Sequence, residues 1–127
     1  MKYIKIILKK LSEDPVTNKT PTIVFARDPK CNLNEFKLDD LSCYGMFTSI
    51  DPSSAINVFE GTHALQGNLD PKILLEEDSV IKESALKMLS EFKDFPGYIF
   101  NLGHGITPDI NPDKVKVLVE AIRESGS

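Results

Sequence analysis

The sequence predicts an α/β fold: a parallel sheet covered by helices. Short apolar runs rich in β-branched and aromatic residues alternate with amphipathic helical stretches. Those runs are near-continuously apolar, as strands of a parallel sheet covered by helices are. Helix starts are marked at Asp51-Pro52, Asp70-Pro71 and Asn111-Pro112. An Asp or Asn there accepts from the free N–H groups of the first turn, and proline fits the first helical position because it has no N–H to lose.

Each element follows in order. Residues 1–13 read as an amphipathic helix, with Tyr3, Ile4, Ile7, Leu8 and Leu11 on one face and Lys2, Lys5, Lys9 and Lys10 turned to water. Its longest apolar run, Ile6-Ile7-Leu8, is far short of the about 7–15 residues of a signal-peptide core. Asp14-Pro15 ends it. "PTIVFA" (21–26) is the first strand, and a polar stretch, 27–40, leads to a second short run, "CYGMF" (43–47). A helix runs from Asp51-Pro52 to about Phe59, and "HALQGN" (63–68) is the third strand-like run. Asp70-Pro71 opens another helix. A longer one over about 79–93 has Val80, Ile81, Ala85, Leu89 and Phe92 as its apolar positions. "GYIFNLG" (97–103) is the fourth strand, and the last helix buries Val115, Leu118, Ala121 and Ile122. No stretch is long enough to span a membrane, so a cytoplasmic protein is expected.

The totals exclude several classes. A length of 127 residues fits one domain. Lys and Arg number 15 against 19 Asp and Glu, a net charge of −4, which leaves no cationic excess for non-specific binding to nucleic acid. Cys31 and Cys43 are not in a C-x-x-C arrangement and no second pair exists, so free thiols and no metal site are expected. The phosphate-loop, dinucleotide, serine-hydrolase and zinc-protease motifs are absent.

Parallel α/β folds place chemistry at the carboxyl ends of their strands. Three such ends carry polar residues or glycine: Ala26-Arg27-Asp28, Gln66-Gly67-Asn68 and Asn101-Leu102-Gly103-His104-Gly105. His104 is the foremost candidate. Its imidazole can hydrogen-bond a carboxylate or move a proton, and as a plain turn residue it would bond nearby backbone instead. Gly103 and Gly105 suit close backbone approach to a ligand and equally a tight turn. Gln66 and Asn68 are candidates for polar recognition, and neighbouring strands would let Asn68 and His104 face one cavity. His63, at the start of a strand, belongs to the opposite end of the sheet. Asp70 reads as a helix cap, Arg27 as a loop charge, and Glu76-Glu77-Asp78 as acid favoured by a helix dipole.

Two stretches, "ALQGNLDPKILL" (64–75) and "GYIFNLGHGITPDINPDKVKVLVEAIRE" (97–124), closely resemble the C-terminal part of uroporphyrinogen decarboxylase. "GMFTSIDPSSA" resembles a degraded form of that family's G-L-D-W-T-x-D-x-x-x-A, with Phe47 and Thr48 in place of Asp and Trp. The resemblance implies a (β/α)8 TIM barrel of which residues 1–127 are the C-terminal half: about four parallel strands in a single partial domain. It implies decarboxylation of uroporphyrinogen III to coproporphyrinogen III without metal or organic cofactor, and a homodimeric family. By motif match His104 is the substrate-contacting residue; Gln66, Asn68, Gly103 and Gly105 join it as substrate-binding candidates from the strand-end reading above. The family's arginine-rich segment, its pyrrole-holding aspartate and its tyrosine and serine site residues precede the matched region. The chain alone is therefore expected to be inactive, and a missing N-terminal barrel half is the expected partner. The alternatives are a non-catalytic half-barrel module, or a corrinoid-dependent methyltransferase relative, which would carry a zinc-binding cysteine where His104 stands.

Overall fold

The computed structural model of the chain describes residues 1–30 and 32–126, so Cys31 lies outside the described residues. Four short strands, β1 (Ile23–Phe25), β2 (Cys43–Gly45), β3 (Ala64–Gln66) and β4 (Tyr98–Ile99), form one parallel sheet in chain order. Among the described residues, four α-helices accompany it: α1 (Lys2–Glu13), α2 (Pro52–Phe59), α3 (Asp78–Glu91) and α4 (Pro112–Ser125).

Register divides the sheet into two faces. Val24, Tyr44, Leu65 and Tyr98 stand in one cross-strand row. Side chains alternate along each strand, so the flanking rows point the other way: Ile23, Cys43 and Ala64 on one side, Phe25, Gly45, Gln66 and Ile99 on the other. The middle row meets the helical layer. Tyr44 is fully buried between Phe36 and Phe59, with ring centroids 4.7 and 5.1 Å away, and Tyr98 stacks on Phe92 at 4.0 Å. A second apolar cluster, built on Leu74, Ile81, Ala85 and Leu118, binds α3 to α4. The Lys114 ammonium adds an ion pair to Asp78 at 2.8 Å.

Among the described residues, the opposite face has no such cover. Ile23 is 50% exposed, Phe25 48% and Ile99 43%. The edges are open too. Thr22 O accepts from Cys43 N–H, and Gly67 N–H donates to Ile99 O. By the alternation of a parallel ladder, Ile23 and Phe25 on β1, and Tyr98 and Phe100 on β4, direct their backbone groups away from the sheet.

The helix starts match the capping signals. Asp51 accepts from Ser54 N–H, Asp70 from Lys72 N–H and Asn111 from Asp113 N–H. The segment after Asp70 is a 3-10 helix (Pro71–Leu75) rather than an α-helix, and a further 3-10 helix (Leu33–Phe36) interrupts the polar stretch. Only Leu8 of α1 is fully buried, while Tyr3 is 77% and Ile7 55% exposed. The apolar stripe read from the sequence exists, but β1 is the outermost strand, and the stripe extends past it with no neighbouring strand to cover.

Candidate active site at the carboxyl ends of the strands

The carboxyl ends of β1 to β4 open on a hollow of about 250 Å³ lined by Phe25, Gly45, Met46, Gln66, Asn101, Leu102, His104 and Gly105. Phe25, Gly45 and Gln66 reach it because they share one row of the uncovered face. Asn101, Leu102, His104 and Gly105 come from the chain that continues past β4. That chain is held parallel to the segment after β3 by Leu69 N–H donating to Asn101 O and Gly103 N–H donating to Leu69 O.

His104 is half-buried. Its Nδ1 lies 2.9 Å from Gly105 O. A carbonyl only accepts, which places the ring proton on Nδ1 and leaves Nε2 for other contacts. The ring packs against Phe47 with centroids 5.7 Å apart, and Phe47 packs in turn against Phe25 at 6.3 Å.

The two glycines differ. A Cβ on Gly103 would fall 2.6 Å from the backbone nitrogen of Thr48, so this position accepts no side chain without moving the β2–α2 loop. A Cβ on Gly105 would meet nothing within 4 Å. Gly103 lies under the hollow and does not line it; Gly105 lines it.

Asn68 corrects one expectation: it and His104 do not face one cavity. Asn68 is 4% exposed, and its Nδ2 donates to Phe47 O at 2.9 Å and to Ile50 O at 2.7 Å. The strand alternation that would have set Asn68 beside Gln66 stops at Gly67, whose φ of +125° turns the chain inward. Gln66 lines the hollow. His63 binds Leu38 O through Nε2 at 2.8 Å, at the amino end of β3, and Arg27 is exposed.

Sequence reasoning noted Asn101 at a strand end without singling it out, and passed over Phe25 and Met46. The signal for Phe25 is register: it is level with Gln66 once β1, β2 and β3 are aligned, whereas Met46 follows Tyr44 into the core.

Two other titratable groups are shut off from chemistry. Burial pushes the Cys43 thiol above its ordinary value, which suppresses the reactive thiolate. Burial, with Glu91 nearby, holds the Tyr98 phenol well above the usual tyrosine range, and its hydroxyl donates to Gly67 O. Among the described residues no group of three or more His, Cys, Asp or Glu is placed to hold a metal ion, and no helix is long and apolar enough to cross a membrane.

Parallel strands with helices on one face, and polar groups gathered at the strands' carboxyl ends, are the arrangement of part of a (β/α) barrel. A family model described as "Uroporphyrinogen decarboxylase (URO-D)" matches residues 1–125, and the chain belongs to that family. It is 34% identical over 124 residues to a uroporphyrinogen decarboxylase of Alcanivorax borkumensis, covering 98% of this chain and 35% of that protein. It is 40% identical over 109 residues to one of Chloroherpeton thalassium (84% and 31%), and 56% identical over 59 residues to one of Vesicomyosocius okutanii (46% and 17%). The chain thus spans about a third of the length of the first two. Four parallel strands with helices on one face, and a match to about a third of each relative, fit the C-terminal half of a barrel.

Proposed function

We propose that this chain forms one wall of a uroporphyrinogen-decarboxylating site and acts only when the rest of the barrel is supplied. The observation that carries this reading is the position of His104: the match to the family motif falls on the residue whose ring lines the hollow at the strands' carboxyl ends. With Nδ1–H committed to Gly105 O, Nε2 is the working nitrogen. A neutral ring accepts a proton there; a protonated ring donates to a carboxylate.

The reaction class suits a site of this kind. Protonation of a pyrrole carbon turns the ring into an electron sink, and carbon dioxide can then leave. The protein has to position the substrate and stabilise charge. Gln66 and Asn101 offer amide donors and acceptors; Phe25 and Leu102 offer apolar contact to a macrocycle.

The same geometry supports dependence on a partner segment. The hollow is below the about 300–1,000 Å³ of ordinary small-molecule sites, and none of its lining residues is Lys or Arg. A substrate with several carboxylates needs cationic groups from elsewhere. The open sheet edges and the apolar inner row fit a complementary four-stranded segment, making residues 1–127 one partial domain. The decarboxylase reading stands ahead of the methyltransferase one because the matched family and relatives carry the decarboxylase name and His104 stands in place of a cysteine.

The test is complementation. The chain is mixed with the remaining barrel segment of the Alcanivorax borkumensis relative, and coproporphyrinogen formation is followed. Turnover is expected from the mixture and not from either part; loss of that turnover in His104→Ala is also expected. Turnover by the chain alone would overturn the dependence on a partner. A folded mixture without turnover would overturn the decarboxylase reading.

A further inference from the structure

His104 needs a fixed ring plane if Nε2 is to face the hollow, and its bond to Gly105 O lies within its own turn. The remaining restraint comes from the loop after β2. Phe47 belongs to neither apolar core cluster. Its ring neighbours are Phe25, at 6.3 Å and 53°, and His104, at 5.7 Å and 31°. A phenylalanine serving the core would pack among core side chains; this one bridges two residues that line the hollow.

The loop bearing Phe47 is clamped from two sides. Asn68, after β3, gives both Nδ2 protons to the loop, one to Phe47 O and one to Ile50 O. Two carbonyl partners also settle which end of the amide carries the hydrogens. Gly103, after β4, lies so close to Thr48 that the loop has no room to move toward it. The segments after β3 and β4 therefore set the loop, and the loop sets the ring.

We propose that Phe47, held in place by Asn68, is a positioning residue for His104: the amide fixes the loop, and the ring fixes the imidazole plane that turns Nε2 toward the hollow. The inference rests on the reading of His104 as the substrate-contacting residue. It assigns Asn68 a part in the site through Phe47 instead of through direct contact. In this chain Phe47 stands where the resembling pattern has aspartate, so the device belongs to this sequence.

The test reads the two histidine rings by NMR in the full chain and needs no turnover. His63, which packs edge-on to Phe59 at 5.6 Å, is the internal control. In the unaltered chain, Overhauser contacts between the Phe47 and His104 rings are expected, with ring-current-shifted His104 protons and the nitrogen signature of an Nδ1–H tautomer. Phe47→Leu, which keeps every backbone carbonyl, is expected to abolish the His104 shift and mix the tautomers while His63 stays unmoved. Phe47→Tyr is expected to restore both. Asn68→Ala is expected to weaken the contact with Phe47 still present. Absence of the Phe47–His104 contact, an unchanged His104 signature in Phe47→Leu, or failure of Phe47→Tyr to restore it would overturn the proposal. Failure of the complementation assay alone would count against the decarboxylase reading and leave the ring contact standing.

Discussion

The two faces of one sheet are built from neighbouring residues and have opposite fates. Tyr44 and Leu65 point toward the helices and are fully buried; Phe25 and Ile99 point the other way and stay near half exposed. The difference is not hydrophobicity, since all are apolar or aromatic. It is the presence of a second layer. A parallel sheet is stable when both faces are covered, and here the chain's own helices cover one. The packed face holds the fold together, and the open face carries the hollow.

Substitutions can sharpen this contrast. Phe59→Ala, on the helix-facing side, removes a fully buried ring and is expected to cost about 3–5 kcal/mol, read as a lower midpoint in urea unfolding. Gly103→Ala, where the loops meet under the hollow, forces a Cβ against Thr48 and is expected to cost about 1–3 kcal/mol in the same assay. Asn111→Ala removes the cap of α4 and should cost about 1 kcal/mol. On the open face, Phe25→Ser combined with Ile99→Thr should change stability by no more than about 0.5 kcal/mol. It should still lower dye binding and self-association, because it removes exposed apolar surface. A large loss of stability there would break the contrast and show that the inner row is packed.

The smallest effect is a pH dependence in the helical layer. The Ser53 and Ser54 hydroxyls and the Ser54 N–H donate to Asp51, which holds its carboxyl below the ordinary value of 3.8. A group whose folded value is depressed stabilises fully above the ordinary value, and that contribution is lost as the pH falls through the depressed one. Thermal unfolding of the chain and of Asp51→Asn is expected to show an advantage for Asp51 near neutral pH that fades below about pH 4. An advantage independent of pH would contradict the assigned bonds.

The sequence made the architecture legible because its signals are local. Capping pairs at Asp51, Asp70 and Asn111 mark helix starts wherever the helices go, and apolar runs mark strands. What escaped it depends on neighbours. The stripe on α1 is a true amphipathic face, yet periodicity does not say whether a strand lies beneath it. The turn after Asp70 tightens to a 3-10 helix, which no residue type there demands. His104 and Gln66 line the hollow because both stand at the carboxyl ends of strands, a position legible in the sequence. Asn68 also follows a strand end, but the chain turns at Gly67 and brings its amide to the β2–α2 loop. Phe47 was noticed only as a departure from a pattern; its role needs the spatial approach of three loops.

The outward-facing backbone groups of Ile23 and Phe25 on one side, and of Tyr98 and Phe100 on the other, give this sheet two unlike edges. Because the strands all run the same way, copies that join β1 to β4 join head to tail. Head-to-tail contacts close into a ring when their rotations sum to a full turn, and otherwise extend as an open filament. A strand that pairs with either edge would end such growth.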